Sequence, residues 1–303
     1  MDGAPEGPLV HGTEDVVDPA PEDPEDPGGG DGRNGDEEPG DHSDLQPVPH
    51  PEAHAELITS QPRGRVKKPR RALVTGGAVR LGRAIALALA RRGMDVAIGY
   101  HGSRRAAAET VRQLVAGGAR AVALRADLAD PRAAGRLVRE AARALGGLDV
   151  LVNNAAIFVR TPLLTTTAAT YDRLLDLNLR GAFFTSQAAA RIMRSGHIVN
   201  VGDADASGRW PNYIPYTLSK TGVVALTRAL AVALQDRNIT VNCVAPGAVL
   251  RPPGFSRARW ARVTRGRPVS VEDVVKAVVA YATCPPTVTG RVRRVDGRRR
   301  ENR

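Results

Sequence analysis

Ala72-Leu-Val-Thr-Gly-Gly-Ala-Val-Arg-Leu-Gly82 decides the fold of this chain. A short apolar run, Ala72 to Thr75, enters a turn carrying Gly76, Gly77 and Gly82, and an Ala-rich segment of helical period, Leu81 to Arg92, leaves it. At such a turn the missing Cβ atoms let the backbone approach a pyrophosphate, which the unpaired N–H groups of the helix start then bind. A glycine pattern alone is weak. The strand before it and the helix after it make this the first βα turn of a nucleotide-binding sheet.

Downstream the same alternation continues. Strands are expected at Asp95 to Tyr100, Ala121 to Arg125, Leu148 to Asn153, His197 to Val201, Ile239 to Ala245 and Arg291 to Val295. Between them the period is helical at Arg104 to Ala116, Pro131 to Leu145, Thr167 to Met193, Tyr213 to Leu234 and Val271 to Thr283. Such alternation predicts an α/β fold over 72–297, a single Rossmann-type doubly wound parallel sheet with helices on both faces.

The first 62 residues read differently. They hold 17 Asp and Glu against the single Arg33, a net charge of −16, with proline- and glycine-rich runs such as Pro21-Glu-Asp-Pro-Glu-Asp-Pro27. That composition predicts a disordered acidic tail over 1–62. A basic linker follows at 63–71, and a second basic tail closes the chain at 298–303. Residues 63–303 carry 42 Lys and Arg against 15 Asp and Glu, a net +27 inside a chain whose total is +11. The arginines are spread along helices and aromatics make up only 4%, too few for base stacking, so no specific nucleic-acid partner is expected. Cys243 and Cys284 make neither a disulfide framework nor a zinc pattern, four of the six histidines (His11, His42, His50 and His54) sit in the acidic segment without regular ligand spacing, and no metal is expected. No apolar run reaches membrane-spanning length, and a cytoplasmic protein without a membrane contact is the expectation.

Two further stretches carry chemistry. In Tyr216-Thr-Leu-Ser-Lys220 the phenol and the amine are four apart, on one face of a helix. An ammonium there is expected to lower the phenol's pKa and make Tyr216 a proton donor. The end of the second strand, Tyr100-His-Gly-Ser-Arg-Arg105, has no acidic residue for ribose hydroxyls. Its hydroxyl and guanidinium groups, with Arg80 in the glycine turn, suit a 2′-phosphate, so NADP(H) is the expected cofactor.

With these residues in place, the body from about Arg71 to Gly297 resembles the short-chain dehydrogenase/reductase family. The resemblance rests on the glycine turn ending at Gly82, Asp127-Leu128 after the third strand, Asn153-Asn-Ala155 after the fourth, and Asn178 in the long helix. It extends to Tyr216 with Lys220 and to Pro246-Gly247 after the sixth strand. It implies that Asp127 contacts the adenine, that Asn154 and Ala155 line the cofactor, and that Asn178, Tyr216 and Lys220 run a proton relay. Gly76, Arg80, Leu81, Gly82, Tyr100, His101, Ser103, Arg104, Leu128, Lys220, Pro246 and Gly247 complete the expected cofactor contacts. It also implies a homodimer or homotetramer packed through the long helices.

Thirteen residues before the tyrosine, where this family usually has serine, stands Asp203. That aspartate, the Arg80-Leu81-Gly82 ending and the Tyr100-His101 segment are similar to the pteridine reductase branch. The likeness implies a substrate site of Asp203, Tyr216 and Phe158, whose ring would stack on a pterin or dihydrofolate-like substrate. Ala156, Gly102 and Arg298 depart from that branch, where serine, arginine and glycine are usual, so a generic carbonyl reductase of 3-oxoacyl type is the competing expectation. A non-catalytic NADP-sensing or scaffold protein is the alternative of another class, and it would fit a chain lacking Tyr216 or Lys220.

Overall fold

The computed structural model describes residues 70–204, 211–252, 254–265 and 268–297. The acidic segment 1–62, all of the basic linker but Arg70 and Arg71, and the basic terminus 298–303 lie outside the described residues.

The strands are β1 (Arg71–Thr75), β2 (Asp95–Tyr100), β3 (Ala121–Arg125), β4 (Val150–Asn153), β5 (Gly196–Val201), β6 (Ile239–Pro246) and β7 (Val292–Val295). They form one parallel sheet in the order β3-β2-β1-β4-β5-β6-β7. The chain leaves β1 in one direction and resumes on its other side at β4, and ligands bind at the carboxyl ends of strands flanking such a reversal.

Alternate side chains of each strand enter two cores. Ala72, Val74, Val150 and Val152 pack with α1 (Arg80–Arg91), α2 (Arg104–Ala116) and α8 (Val271–Ala282). Leu73, Leu151 and Val241 face α3 (Pro131–Leu145), α5 (Gly181–Ile192) and α6 (Ile214–Ala233) on the opposite side. Burial on both faces is why these strands read as near-continuous apolar runs. Local signals fix the ends of the helices: in α3, Asp130 accepts a hydrogen bond from the Arg132 amide at 2.8 Å, Pro131 follows it, and Gly146 closes the helix at φ +79.

Two elements depart from the sequence reading. The long helix expected over Thr167 to Met193 is α4 (Ala168–Leu175), a five-residue π turn (Asp176–Arg180) and then α5. Between the sixth strand and the last helix, where the sequence reading gave no element, lies α7 (Arg257–Thr264), whose Ser256 side chain caps the Arg259 amide at 3.1 Å. Among the described residues no helix is long and apolar enough to cross a membrane.

A polar network is buried where β4 and β5 meet α5 and α6. Asn153 donates to Asn200 Oδ1 and Ser186 Oγ, both at 2.9 Å, and accepts from Thr185 Oγ1 at 2.7 Å, while Asn200 donates to Thr227 Oγ1 at 2.9 Å. Satisfied networks of this kind fix one packing geometry. This one holds the carboxyl end of β4, from which the next residue, Asn154, enters the site.

Candidate active site

The glycine turn is built without room for side chains. A Cβ on Gly82 would lie 2.0 Å from the Gly76 carbonyl oxygen, one on Gly77 would lie 2.7 Å from Ile98, and Gly76 has φ +62. Val79 precedes α1 without a side-chain cap, and the first turn carries no acid, so the N–H groups of this helix start stand available to an anion. Ser103 likewise leaves the start of α2 without a side-chain cap.

Between these helix starts runs a cleft of about 420 Å³. Gly76, Arg80, Leu81, Gly82, Tyr100, His101, Ser103, Asp127, Leu128, Asn154 and Ala155, all candidates from the sequence, line it. Arg104 is exposed in the first turn of α2 and is not among the lining residues, nor is Arg105. Asn154 ties the walls together, its amide nitrogen donating to Thr75 O at 2.9 Å and Gly76 O at 3.3 Å. Thr75 Oγ1 accepts from the amides of Asn154 and Ala155 at 2.9 and 3.0 Å. Thr75 is a positioning residue that the sequence reading passed over, although it directly precedes the glycine pair. A glycine hollow, two uncapped helix starts and no carboxylate at the end of β2 fit a dinucleotide with a phosphorylated ribose.

Beyond Asn154 the cleft opens into a second cavity of about 480 Å³, lined by Asp203, Tyr216, Lys220, Pro246 and Gly247 and walled by Ile157, Phe158, Leu250, Pro252, Phe255 and Trp260. On its floor Tyr216 Oη donates to Asp203 Oδ2 at 2.7 Å. The phenol is pushed well above its ordinary value, first by burial, then by the charge of Asp203 and the hydrogen bond to it. This corrects the expectation that Lys220 would lower it. Lys220 is itself buried, which lowers its pKa, and its Nζ donates to Val201 O at 2.8 Å. Spacing along the helix predicts the two groups on one face, but burial and the hydrogen-bonded Asp203 carboxylate set the sign.

Asn178 lies in the π turn, 2% exposed, a kind of helix defect often found at functional sites. Its amide oxygen accepts from the Ile157 N–H at 2.9 Å, and its nitrogen donates to Ile157 O at 3.0 Å and Ser219 Oγ at 3.1 Å. It therefore clamps the segment after β4 to α6 beside Lys220, and this anchoring was not foreseen.

Phe158 belongs to an aromatic cluster rather than standing as an isolated platform. It stacks on Tyr213 with centroids 4.2 Å apart and an interplanar angle of 6°, meets Tyr216 edge-on at 4.7 Å and lies 6.1 Å from Phe255. Arg259 covers Phe255 at 4.1 Å and donates to Tyr213 Oη at 3.1 Å. Phe255 and Trp260 were missed because Pro252 and Gly254 read as loop. The signal was present: Ser256 as cap with apolar residues before it and four after it is a hydrophobic staple.

The chain is similar in sequence and fold to known proteins. The family model described as short chain dehydrogenase matches residues 70–259. A hydroxynaphthalene reductase-like protein, Arp2, of Metarhizium robertsii is 37% identical over 71% of this chain and 80% of its own length. A 3-oxoacyl-[acyl-carrier-protein] reductase, FabG, of Staphylococcus aureus is 38% identical over 61% of this chain and 76% of its own. The crystal structure of a short chain dehydrogenase from Burkholderia cenocepacia in complex with NADP superposes with a TM-score of 0.70 and 38% identity, covering 75% of this chain and 96% of that one.

Proposed function

This chain belongs to the short-chain dehydrogenase/reductase family, and we propose that within it the chain is an NADPH-dependent reductase of C=O or C=N groups carried on flat aromatic ring systems. The observation that carries this reading is the Tyr216–Asp203 pair, 2.7 Å apart on the floor of an aromatic-walled cavity that adjoins a dinucleotide cleft. The glycine turn and the end of β2 would hold NADPH, which would supply the hydride. Tyr216, which donates to Asp203 Oδ2 in the cofactor-free protein, gives its proton to the oxygen or nitrogen of the reduced bond. Lys220 orients the ribose and Asn178 holds the segment that forms the near wall. Phe158, Phe255 and Trp260 select planar rings and exclude water.

Asp203 supports a C=N substrate of pterin or dihydrofolate type in particular. When ionised, a carboxylate only accepts hydrogen bonds, so it favours a ring that presents N–H groups beside the reacting bond. The apolar walls, and relatives named as hydroxynaphthalene and 3-oxoacyl reductases, support the carbonyl reading. Oxidation of NADPH in the presence of either substrate class decides between them.

Assembly is part of the proposal. Tyr171 of α4, Phe183 of α5 and Leu218 and Val232 of α6 are 41%, 39%, 47% and 69% exposed, large apolar groups on the outer faces of the helices expected to pack between subunits. Light scattering is expected to give the mass of a dimer or tetramer. The double variant Phe183→Glu, Leu218→Glu is expected to give a lower mass, and a monomeric wild type would contradict the assignment.

A further inference from the structure

We infer that Arg80 is a positioning residue, a latch that couples the dinucleotide turn to the aromatic roof of the substrate cavity. Arg80 is the first residue of α1 and has φ +52, a left-handed conformation that glycine adopts freely and a long side chain does not. A strained residue persists where the surroundings require its side chain. Here the Arg80 Nη2 donates to the carbonyl oxygens of Leu250 and Arg251, both at 3.1 Å, although they lie some 170 residues further along the chain. Arg251 Nη1 in turn donates to Phe255 O at 2.6 Å. Phe255 directly precedes Ser256, the cap of α7, and its side chain and that of Trp260 line the cavity that also holds Tyr216.

A continuous set of hydrogen bonds therefore runs from the helix start that faces the nucleotide cleft to the roof over the substrate, and Arg80 lines both cavities. An anion drawn to the start of α1 acts on the residue whose guanidinium holds the roof segment. Cofactor binding then tightens the roof, so the aromatic walls are assembled before substrate enters. The coupling rests on the proposed NADP(H) site, whereas the latch itself does not.

Trp260 reports on the roof directly. With Trp210 replaced by Phe, Trp260 is the single indole of a chain that has two, and its exposure can be read by acrylamide quenching of the full-length protein. In the cofactor-free protein, Arg80→Ala and Arg80→Gly are both expected to raise the quenching constant at least about twofold, the glycine variant doing so while relieving the backbone strain. Arg251→Ala is expected to do the same while leaving NADP⁺ affinity, measured by calorimetry, unchanged. Adding NADP⁺ is expected to lower quenching in the parent and not in Arg80→Ala. Unchanged quenching in both cofactor-free Arg80 variants would overturn the latch whatever the cofactor does. Equal protection by NADP⁺ in Arg80→Ala and in the parent would overturn the coupling. A parent that binds no NADP⁺ would remove the cofactor reading and with it the coupling, while the cofactor-free arm still judges the latch.

Discussion

Tyr216→Phe is expected to lower NADPH-dependent turnover by about 10²–10⁴-fold, the usual contribution of a positioned proton donor, with NADP⁺ affinity nearly unchanged. Only the hydroxyl is lost, while the ring that meets Phe158 edge-on and fills the cavity floor remains. Phenylalanine also ends the hydrogen bond to Asp203, so the carboxylate loses its 2.7 Å partner inside the cleft. Steady-state turnover measured beside calorimetric NADP⁺ binding separates chemistry from binding. Turnover that survives would mean that another group gives the proton.

Asp203→Asn carries the second large effect, and it appears in the pH profile. Reduction needs the phenol protonated. Burial, the Asp203 charge and the hydrogen bond to Asp203 all raise its pKa above the ordinary 10.0, so reductive turnover is expected to stay level as pH rises past that value. Asparagine keeps the shape and removes the charge. The alkaline limit then moves down, though burial, the largest cause, keeps it above the ordinary value. Alcohol oxidation needs the phenolate, so its rising limb moves down as well, and at a fixed pH the phenolate fraction grows about tenfold for every pH unit the limb travels. Profiles measured in both directions test this. An unchanged alkaline limb would reduce Asp203 to a substrate contact without influence on Tyr216.

What the sequence disclosed, and what it concealed, follows from the range of each signal. The glycine turn, the two-sided apolar strands and the positions of Asp127, Asn154, Tyr216 and Lys220 are local patterns; Asp127 and Asn154 line the cleft, and Tyr216 and Lys220 the adjoining cavity. The π turn around Asn178 adds a residue to one helical turn without disturbing the apolar period on either side, so the segment reads as one helix. Helix α7 was hidden by the Pro252 and Gly254 that precede it, whose local preferences gave way to the burial of Phe255 and the cap at Ser256. The direction of the Arg80 side chain, the Phe158–Tyr213 stack and the sign of the Tyr216 pKa change depend on residues brought together only by the fold.

The most direct test of the proposed activity is NADPH oxidation by the purified protein, with NADH as control, against dihydrobiopterin, dihydrofolate, bicyclic aryl ketones and quinones, and small acyclic ketones. The expected result is NADPH-specific oxidation with at least one planar aromatic substrate and little with the acyclic ketones. Preference for NADH, activity confined to acyclic ketones, or tight NADPH binding with no oxidation of any of them would contradict it.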